Sequence, residues 1–173
     1  MRVTKNFVFF WGSIFSNFYP YENKSIATES VKPLNFEADG NVWKTSEQYF
    51  MWLKAMHFEA YDIAKKIEKC ERPEQAKSLG RKIKNFDDEE WAKASNQCMY
   101  KAVFAKFSQC KELKEELLSP KYDGKEFVEA SPLDKIWGIG LHFNDRACDN
   151  RENWLGQNKL GKVINKVRED LKK

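Results

Sequence analysis

The chain has 173 residues, the usual size of one domain, and 42% of them are hydrophobic and 14% aromatic. This composition can form a buried core and argues against an intrinsically disordered chain. The 30 basic and 26 acidic residues give a net charge of +4. Charges of both signs are mixed along the predicted helix faces, which indicates a solvated surface rather than a dedicated nucleic-acid patch. A small phosphate-bearing ligand is compatible with this mild excess.

The four cysteines stand at positions 70, 98, 110 and 148 and match neither a zinc site nor a dense disulfide framework. With only two histidines in the chain, we predict reduced, mostly structural thiols, no metal and no cofactor. The apolar residues 8–11 are too short for a signal peptide core, and no run reaches membrane-spanning length. We therefore expect a cytoplasmic protein with no membrane partner.

The first part of the chain is predicted to be extended and rich in turns. Residues 8–11 form a candidate strand. Residues 36–43 are predicted to form a hairpin that turns at Asp39-Gly40, a common type I′ pair. The polar residues 22–33 between them are predicted to form a surface loop.

Helices are predicted to dominate the rest. Thr45-Ser46-Glu47-Gln48 has the spacing of a capping box, so a helix should begin there and run to about residue 58. Further helices are predicted over residues 59–69, 73–80, 88–108, around 113–118 and 160–171, with short extended segments at 127–128 and 136–139. Neither repeats nor linkers interrupt the chain. We predict a helix-rich α+β fold with a few short strands, as one domain over residues 1–173.

The helix after Thr45 carries two charges in an apolar setting. Glu47 and Lys54 are seven positions apart, which places them on one face and about 10 Å apart along the axis, too far for direct pairing. Charges on a buried helix need partners or a water-lined cleft, and a cleft of this length suits a ribose with its base or phosphate. The helix dipole favours an ionised Glu47, which could stabilise an oxocarbenium ion or activate water. From spacing alone, a Glu47 that only stabilises the helix is the somewhat commoner explanation.

Three other segments carry candidate residues. Lys106 lies on the apolar stripe of the long helix, where snorkelling is commoner than a buried cation that binds phosphate or carboxylate. Asp134 and Trp137 belong to a turn-rich segment, and we weigh a Trp137 that stacks on a base equally with one that fills the core. Backbone N–H groups of residues 156–161 could hold a phosphate at the start of the last helix, although simple capping is the better expectation.

A set of short motifs, in a fixed order, resembles the NADAR (YbiA-like) family. In chain order the motifs are Phe15-Ser16-Asn17-Phe18-Tyr19-Pro20, Ser46-Glu47-Gln48-Tyr49-Phe50 with Lys54-Ala55, Ala76-Lys77-Ser78-Leu79-Gly80-Arg81, Trp91, Lys106-Phe107-Ser108-Gln109, Asp134-Lys135-Ile136-Trp137-Gly138-Ile139-Gly140, and Gly156-Gln157-Asn158-Lys159-Leu160-Gly161 with Arg168. Each motif is weak alone, but together they span nearly the whole chain and are strongly specific.

The resemblance implies a helix-rich α+β fold and N-glycosidase chemistry on ribosylated bases. The implied substrates are riboflavin-pathway intermediates with a ribosylamino-pyrimidine phosphate, or ADP-ribosylated guanine bases. Glu47 and Asp134 are the candidate catalytic residues. The candidate substrate-binding residues are Asn17, Phe18, Lys54, Arg81, Trp91, Lys106, Trp137, Gly138 and Asn158. Two departures concern the substrate: Gln48 stands where many members have His, and Cys110 where Asn is frequent.

The predicted function is hydrolysis of a ribosyl–nitrogen bond in a small, phosphorylated, nucleotide-like substrate. One alternative is the same chemistry on an ADP-ribosylated base or nucleic acid. A second is a non-catalytic reader of ADP-ribose or nucleotides, which would gain nothing from Glu47. A purely structural protein is least favoured, because it leaves the charges of a buried helix without a role.

Overall fold

The computed structural model describes residues 1–20 and 34–173, so the predicted loop at 22–33 lies outside the described residues. The elements are β1 Arg2–Val3, β2 Phe7–Phe10, β3 Phe36–Ala38, β4 Asn41–Trp43, α1 Ser46–His57, α2 Tyr61–Glu68, α3 Pro73–Gly80, α4 Asp88–Gln109, α5 Lys111–Leu118, β5 Glu126–Glu129 and α6 Lys159–Leu171. Short 3₁₀ turns occur at Pro120–Tyr122, Arg146–Asp149 and Arg151–Asn153. The helix-rich α+β prediction is confirmed.

The chain forms two compact units. Unit 1 comprises residues 1–16 and 112–173, and unit 2 comprises residues 17–111. Organisation as one domain over residues 1–173 stays a prediction.

Unit 1 is built on a three-stranded sheet in the order β1-β2-β5. β2 pairs with β1 in antiparallel and with β5 in parallel orientation, with Phe9 opposite Val128 in the parallel pair. Phe9 and Val128 are fully buried in a cluster with Ile139 and Cys148. The apolar run of β2 is therefore the central strand of this sheet, as expected of a strand covered on both faces.

Two asparagines of the α6 segment complete the outer edge of β5. The backbone N–H of Phe127 donates to Asn165 Oδ1 at 3.0 Å, and that of Glu129 donates to Asn158 Oδ1 at 2.9 Å. Asn158 Nδ2 donates in turn to the Phe127 carbonyl at 3.1 Å. These side chains satisfy backbone groups that an open sheet edge would expose, so β5 does not present a free edge at these groups.

The predicted extended segment at residues 136–139 is wrong, because these residues form a series of bends. Asp134 Oδ1 accepts the backbone N–H groups of Ile136 and Trp137, both at 2.8 Å, which folds the chain back on itself. The N–H of Gly140 donates to the Asp134 carbonyl at 3.1 Å, with Gly140 at φ +71°. An aspartate that bonds two nearby backbone groups competes successfully with strand pairing.

Unit 2 begins, within the described residues, with the segment 17–20 and continues with a two-stranded hairpin of β3 and β4. Asp39 and Gly40 at its turn have φ of 48° and 76°. Positive φ at both central positions defines the type I′ turn that this pair of residues predicts. Tyr49 of α1 stacks on Trp43 of β4, with ring centroids 5.1 Å apart.

The four helices of unit 2 end within a few residues of their predicted bounds. Thr45 caps α1, its side chain accepting the N–H of Gln48 at 3.0 Å, and Asp87 caps α4 in the same way through Glu90. α1 packs against α2, α3 and α4, and nine of its residues are buried. The Gln48 amide donates to the Ile67 and Cys70 carbonyls, so it ties α1 to the end of α2.

Candidate active site

Glu47 lies in the first turn of α1 and is buried, with 6% of its surface exposed. Ser46 before it is completely buried. The carboxylate therefore does not point into open solvent. It lies at the end of the helix where the partial positive charge of the N-terminus favours the ionised form.

Asn17 connects the chain before the hairpin to the first turn of α1. Its carbonyl accepts the backbone N–H of Glu47 at 3.1 Å, and its Oδ1 accepts the Ser46 hydroxyl at 3.0 Å. Its Nδ2 donates to Met99 Sδ of α4 at 3.1 Å. Asn17 is a predicted site residue, but its partners Ser46 and Met99 could not be predicted, because the contacts join residues far apart in the chain.

Lys54 lies two turns after Glu47, in an aromatic setting. Its Nζ is 3.8 Å from the centroid of Phe86 and 5.8 Å from that of Trp91. Burial lowers the pKa of the Lys54 ammonium, the negative charges of Asp88 and Glu47 partly offset this, and the positive charge of Arg81 lowers it further. Glu47 and Arg81 are therefore both within electrostatic reach of Lys54.

Trp91 belongs to an aromatic cluster between α1 and α4. Its ring centroid lies 5.4 Å from that of Phe50, 5.9 Å from His57 and 6.1 Å from Phe58. His57 Nε2 lies 2.9 Å from the Glu90 carboxylate. Neighbouring rings thus cover much of the Trp91 side chain. Trp91 in turn forms part of the aromatic surroundings of Lys54.

Two further cations lie near the segment 17–20. Lys77 of α3 has its Nζ 5.3 Å from the Phe18 centroid, and Arg81 follows it by one helical turn. Lys106 of α4 is 1% exposed, with its Nζ 5.5 Å from the ring centroid of Tyr19. Snorkelling therefore does not describe Lys106, whose side chain is buried.

Unit 2 thus contains seven of the sequence-predicted site residues, which are Asn17, Phe18, Glu47, Lys54, Arg81, Trp91 and Lys106. Four neighbouring residues were not predicted as part of the site: Ser46, Lys77, Phe86 and Met99. Lys77 lies within a quoted motif, so the motif pattern could have found it. Phe86 and Met99 carry no local signal, since an isolated Phe or Met is indistinguishable from a core residue.

Unit 1 contains Asp134, Trp137, Gly138 and Asn158. One Asp134 oxygen holds the backbone N–H groups of Ile136 and Trp137, and Trp137 is half-buried with Lys159 Nζ 6.0 Å from its ring centroid. The loop that carries both candidates is thereby held in a defined conformation.

The start of α6 is capped by this same loop. The N–H groups of Asn158, Lys159 and Leu160 donate to the carbonyls of Gly138, Ile136 and Trp137 at 3.1, 3.3 and 3.0 Å. The phosphate site considered at residues 156–161 is therefore contradicted, because these N–H groups already have acceptors. Capping is the explanation that the structure supports.

Gly138 and Asn158 have clear packing roles. A Cβ on Gly138 would lie 2.9 Å from the carbonyl oxygens of Asp134 and Glu129, so only glycine fits. Asn158 is completely buried and bonds β5 through both ends of its amide. Direct contact of either residue with substrate stays a prediction.

All four cysteines are free thiols, and burial raises the pKa of Cys70, Cys98 and Cys148. Across residues 1–20 and 34–173, there is no cluster of three or more His, Cys, Asp or Glu side chains that could hold a metal ion. Over the same residues, no helix is both long enough and apolar enough to cross a membrane.

Residues 9–172 match the sequence profile of the NADAR domain. The chain belongs to the NADAR family. This NADAR chain is 40% identical over 173 residues to protein irg-1 of Caenorhabditis elegans, covering 97% of this chain and 81% of that protein. It is 36% identical over 175 residues to the N-glycosidase R617 of Acanthamoeba polyphaga mimivirus, covering 96% of this chain and 97% of that one.

The fold of the NADAR chain is similar to that of the Escherichia coli protein YbiA, solved by NMR. The TM-score is 0.70 at 27% identity, over 99% of this chain and 88% of YbiA. This similarity confirms the predicted fold. Several relatives are named N-glycosidases, which confirms the predicted enzyme class.

Proposed function

We propose that this N-glycosidase hydrolyses the ribosyl–nitrogen bond of a small phosphorylated ribosylated base, of the type of a riboflavin-pathway intermediate. The observation that carries the proposal is the buried Glu47 carboxylate, with the Lys54 and Arg81 cations beyond it. A carboxylate and two cations that interact electrostatically suit a substrate that develops positive charge at one end and carries phosphate at the other.

Glu47 is the proposed catalytic carboxylate. As the bond between the anomeric carbon and nitrogen breaks, positive charge spreads over that carbon and the ring oxygen, and an ionised Glu47 stabilises it. Water then adds to the anomeric carbon, and its proton balances the negative charge of the leaving base. Asp134 is a second candidate carboxylate, supported by its place in a loop with a fixed conformation.

Lys54 and Arg81 are the proposed phosphate contacts. Burial makes the Lys54 ammonium costly, and Arg81 adds to that cost through like-charge repulsion. The negative charges of Asp88 and Glu47 offset this cost only in part. A phosphate would relieve both penalties, and Arg81 adds a planar fork that suits phosphate oxygens. Lys106 is a third candidate because it is a buried lysine that lies near the segment 17–20.

Trp137 is the proposed stacking surface for the base, since it is half-buried and carried by a loop with a fixed conformation. Phe18 is a second candidate, with Lys77 beside its ring. Trp91 contributes less in this proposal, because Phe50 and Phe58 already pack against it.

The test is base release from a panel of ribosylated metabolites and ADP-ribosylated guanine, comparing wild type with Glu47→Gln. We expect Glu47→Gln to bind substrate but to lose kcat by about 10²- to 10⁴-fold, the usual contribution of a positioned acid–base or charge-stabilising group. Glu59→Gln is the matched control, because Glu59 is exposed just after α1. Full activity in Glu47→Gln contradicts the assignment of Glu47.

The panel also decides the substrate class. Release only from ADP-ribosylated guanine would replace the metabolite substrate with a modified base or nucleic acid. Tight binding without release from any substrate would instead indicate a non-catalytic reader. A cytoplasmic location belongs to the same proposal and is tested by cell fractionation.

A further inference from the structure

We infer that Asn17 is a positioning residue that acts through Glu47, by fixing the first turn of α1, and does not bind substrate. The inference rests on the proposed function, since Glu47 is the carboxylate whose position is at stake. It replaces the sequence hypothesis of a direct contact between Asn17 and sugar or base.

The first observation concerns the backbone of Glu47. The first N–H groups of a helix have no partner within the helix. Thr45, the N-cap residue, accepts the N–H groups of Gln48 and Tyr49 through its hydroxyl and carbonyl. The Glu47 N–H is accepted by the Asn17 carbonyl at 3.1 Å. The residue that carries the catalytic carboxylate is therefore held by Asn17, a residue 30 positions earlier in the chain.

The second observation concerns the Asn17 side chain, which is anchored at both ends. Oδ1 accepts the Ser46 hydroxyl at 3.0 Å, and Nδ2 donates to Met99 Sδ at 3.1 Å. The Ser46 hydroxyl also lies 3.3 Å from the Asn17 carbonyl. Asn17, Ser46 and Met99 are each at most 7% exposed. The amide thus links α1 to α4 and keeps its own carbonyl aimed at Glu47.

These contacts matter because small displacements of a catalytic group are costly. A misplacement of about 1 Å can reduce a rate by about 100-fold. Without the side-chain anchors, the Asn17 carbonyl would no longer be held against the Glu47 N–H, and the first turn of α1 would lose this constraint. The predicted loss therefore appears in the chemical step and not in substrate affinity.

The test compares Asn17→Ala and Ser46→Ala with Gln75→Ala as the matched control. Gln75 is an exposed amide of unit 2 that caps α3 by accepting the N–H groups of Glu71 and Arg72. We expect kcat to fall by about 10- to 100-fold in Asn17→Ala, with KM changed less than about threefold. Gln75→Ala should keep the wild-type kcat.

Three results discriminate between a positioning role, a substrate-binding role and a purely structural role of Asn17. A raised KM at unchanged kcat would show that Asn17 binds substrate, and would overturn the inference. A lowered melting temperature at unchanged kcat would show a purely structural role, and would also overturn it. No further loss when Asn17→Ala is added to Glu47→Gln supports the inference, because residues that act as a unit are not additive.

Hydrogen exchange of the Glu47 amide gives a readout that does not depend on activity. Loss of protection at Glu47 in Asn17→Ala, with protection kept in Gln75→Ala, supports the inference. Unchanged protection in both overturns it, whatever the substrate proves to be. If Asn17→Ala does not fold, Ser46→Ala provides the same comparison, since it removes only one hydroxyl. An inactive Glu47→Gln beside an Asn17→Ala with full kcat would overturn this inference alone and leave the proposed function standing.

Discussion

Lys54 Nζ lies 3.8 Å from the centroid of the Phe86 ring, so the ammonium rests on an aromatic face. A cation–π contact favours the charged form and is worth about 0.5–2 kcal/mol according to its exposure. Burial nevertheless lowers the pKa of Lys54, and Arg81 adds to that effect. The protein thus retains at Lys54 a cation that burial and the neighbouring Arg81 charge both disfavour.

Lys54→Met should weaken the binding of a phosphorylated substrate without lowering the stability of the protein. We expect KM for a phosphorylated substrate to rise about tenfold, the loss of one charge-assisted contact, with little change for the dephosphorylated analogue. The melting temperature should not fall, because the variant removes a half-buried charge. Lys65→Met, on the exposed face of α2, is the control. A KM that rises equally for both substrates would contradict phosphate binding.

The pH dependence of Lys54 has a defined sign. Its pKa in the folded state is lower than the ordinary value of 10.5, so the unfolded state binds more protons between the two. Stability should therefore rise with pH in that window relative to Lys54→Met. Urea denaturation of both proteins at several pH values up to 10.5 measures this difference. A constant difference would contradict the lowered pKa.

The stabilisation that Tyr49 provides should fall as the pH rises, opposite to the pH dependence expected from Lys54, and Tyr49→Phe tests this. The Tyr49 hydroxyl donates to Asp39 Oδ2 at 2.7 Å, and burial, followed by this hydrogen bond, raises the Tyr49 pKa well above its ordinary 10.0. The hydrogen bond should contribute about 1.5–3 kcal/mol near neutral pH, since its acceptor is charged. Because the folded pKa is the higher one, the Tyr49 contribution is complete below pH 10 and is lost as the pH rises above it.

The measurement for Tyr49 is the difference in unfolding free energy between wild type and Tyr49→Phe from pH 7 to 11. That difference should shrink above pH 10. Tyr61→Phe, on an exposed residue of α2, should show no such trend.

Asn158→Ala should destabilise unit 1 through the edge of β5. It leaves the Glu129 N–H and the Phe127 carbonyl without their partner, at a cost of about 1–3 kcal/mol for each buried group. Asn165→Ala removes only one bond and should cost about half as much. Denaturant titration of both variants gives the comparison, and equal losses would contradict the double role of Asn158.

Gly156→Ala should show a steric cost that does not arise from backbone strain. A Cβ there would lie 2.7 Å from the Lys135 Cα and carbonyl oxygen, and we expect a loss of about 3 kcal/mol from overpacking. Gly124→Ala is the contrast, because Gly124 has φ +70° and open space around it. It should cost about 1 kcal/mol, from left-handed strain alone. Thermal denaturation of both variants measures which substitution lowers the stability more, and a larger loss in Gly124→Ala would contradict the prediction.

Local signals in the sequence were enough to locate the helices and the hairpin. Thr45 and Asp87 accept N–H groups three residues ahead, and Asp39-Gly40 takes positive φ at a two-residue turn. Such signals depend on neighbours in the chain, so they can be read without knowing the fold. The family motifs also led to the correct fold and enzyme class.

The tertiary structure alone decided what these residues contact. Residues 136–139 resemble a strand in composition, yet the bonds of Asp134 and the start of α6 turn them into a folded loop. The sequence motif of Asn17 gives no indication that its amide donates to Met99 Sδ, 82 positions away. Hydrogen bonds between distant segments follow no periodicity, because they depend on which surfaces the packed helices bring together. The sequence determined where the helices and the hairpin begin and which chemical groups they carry, and packing determined which partner each polar group meets.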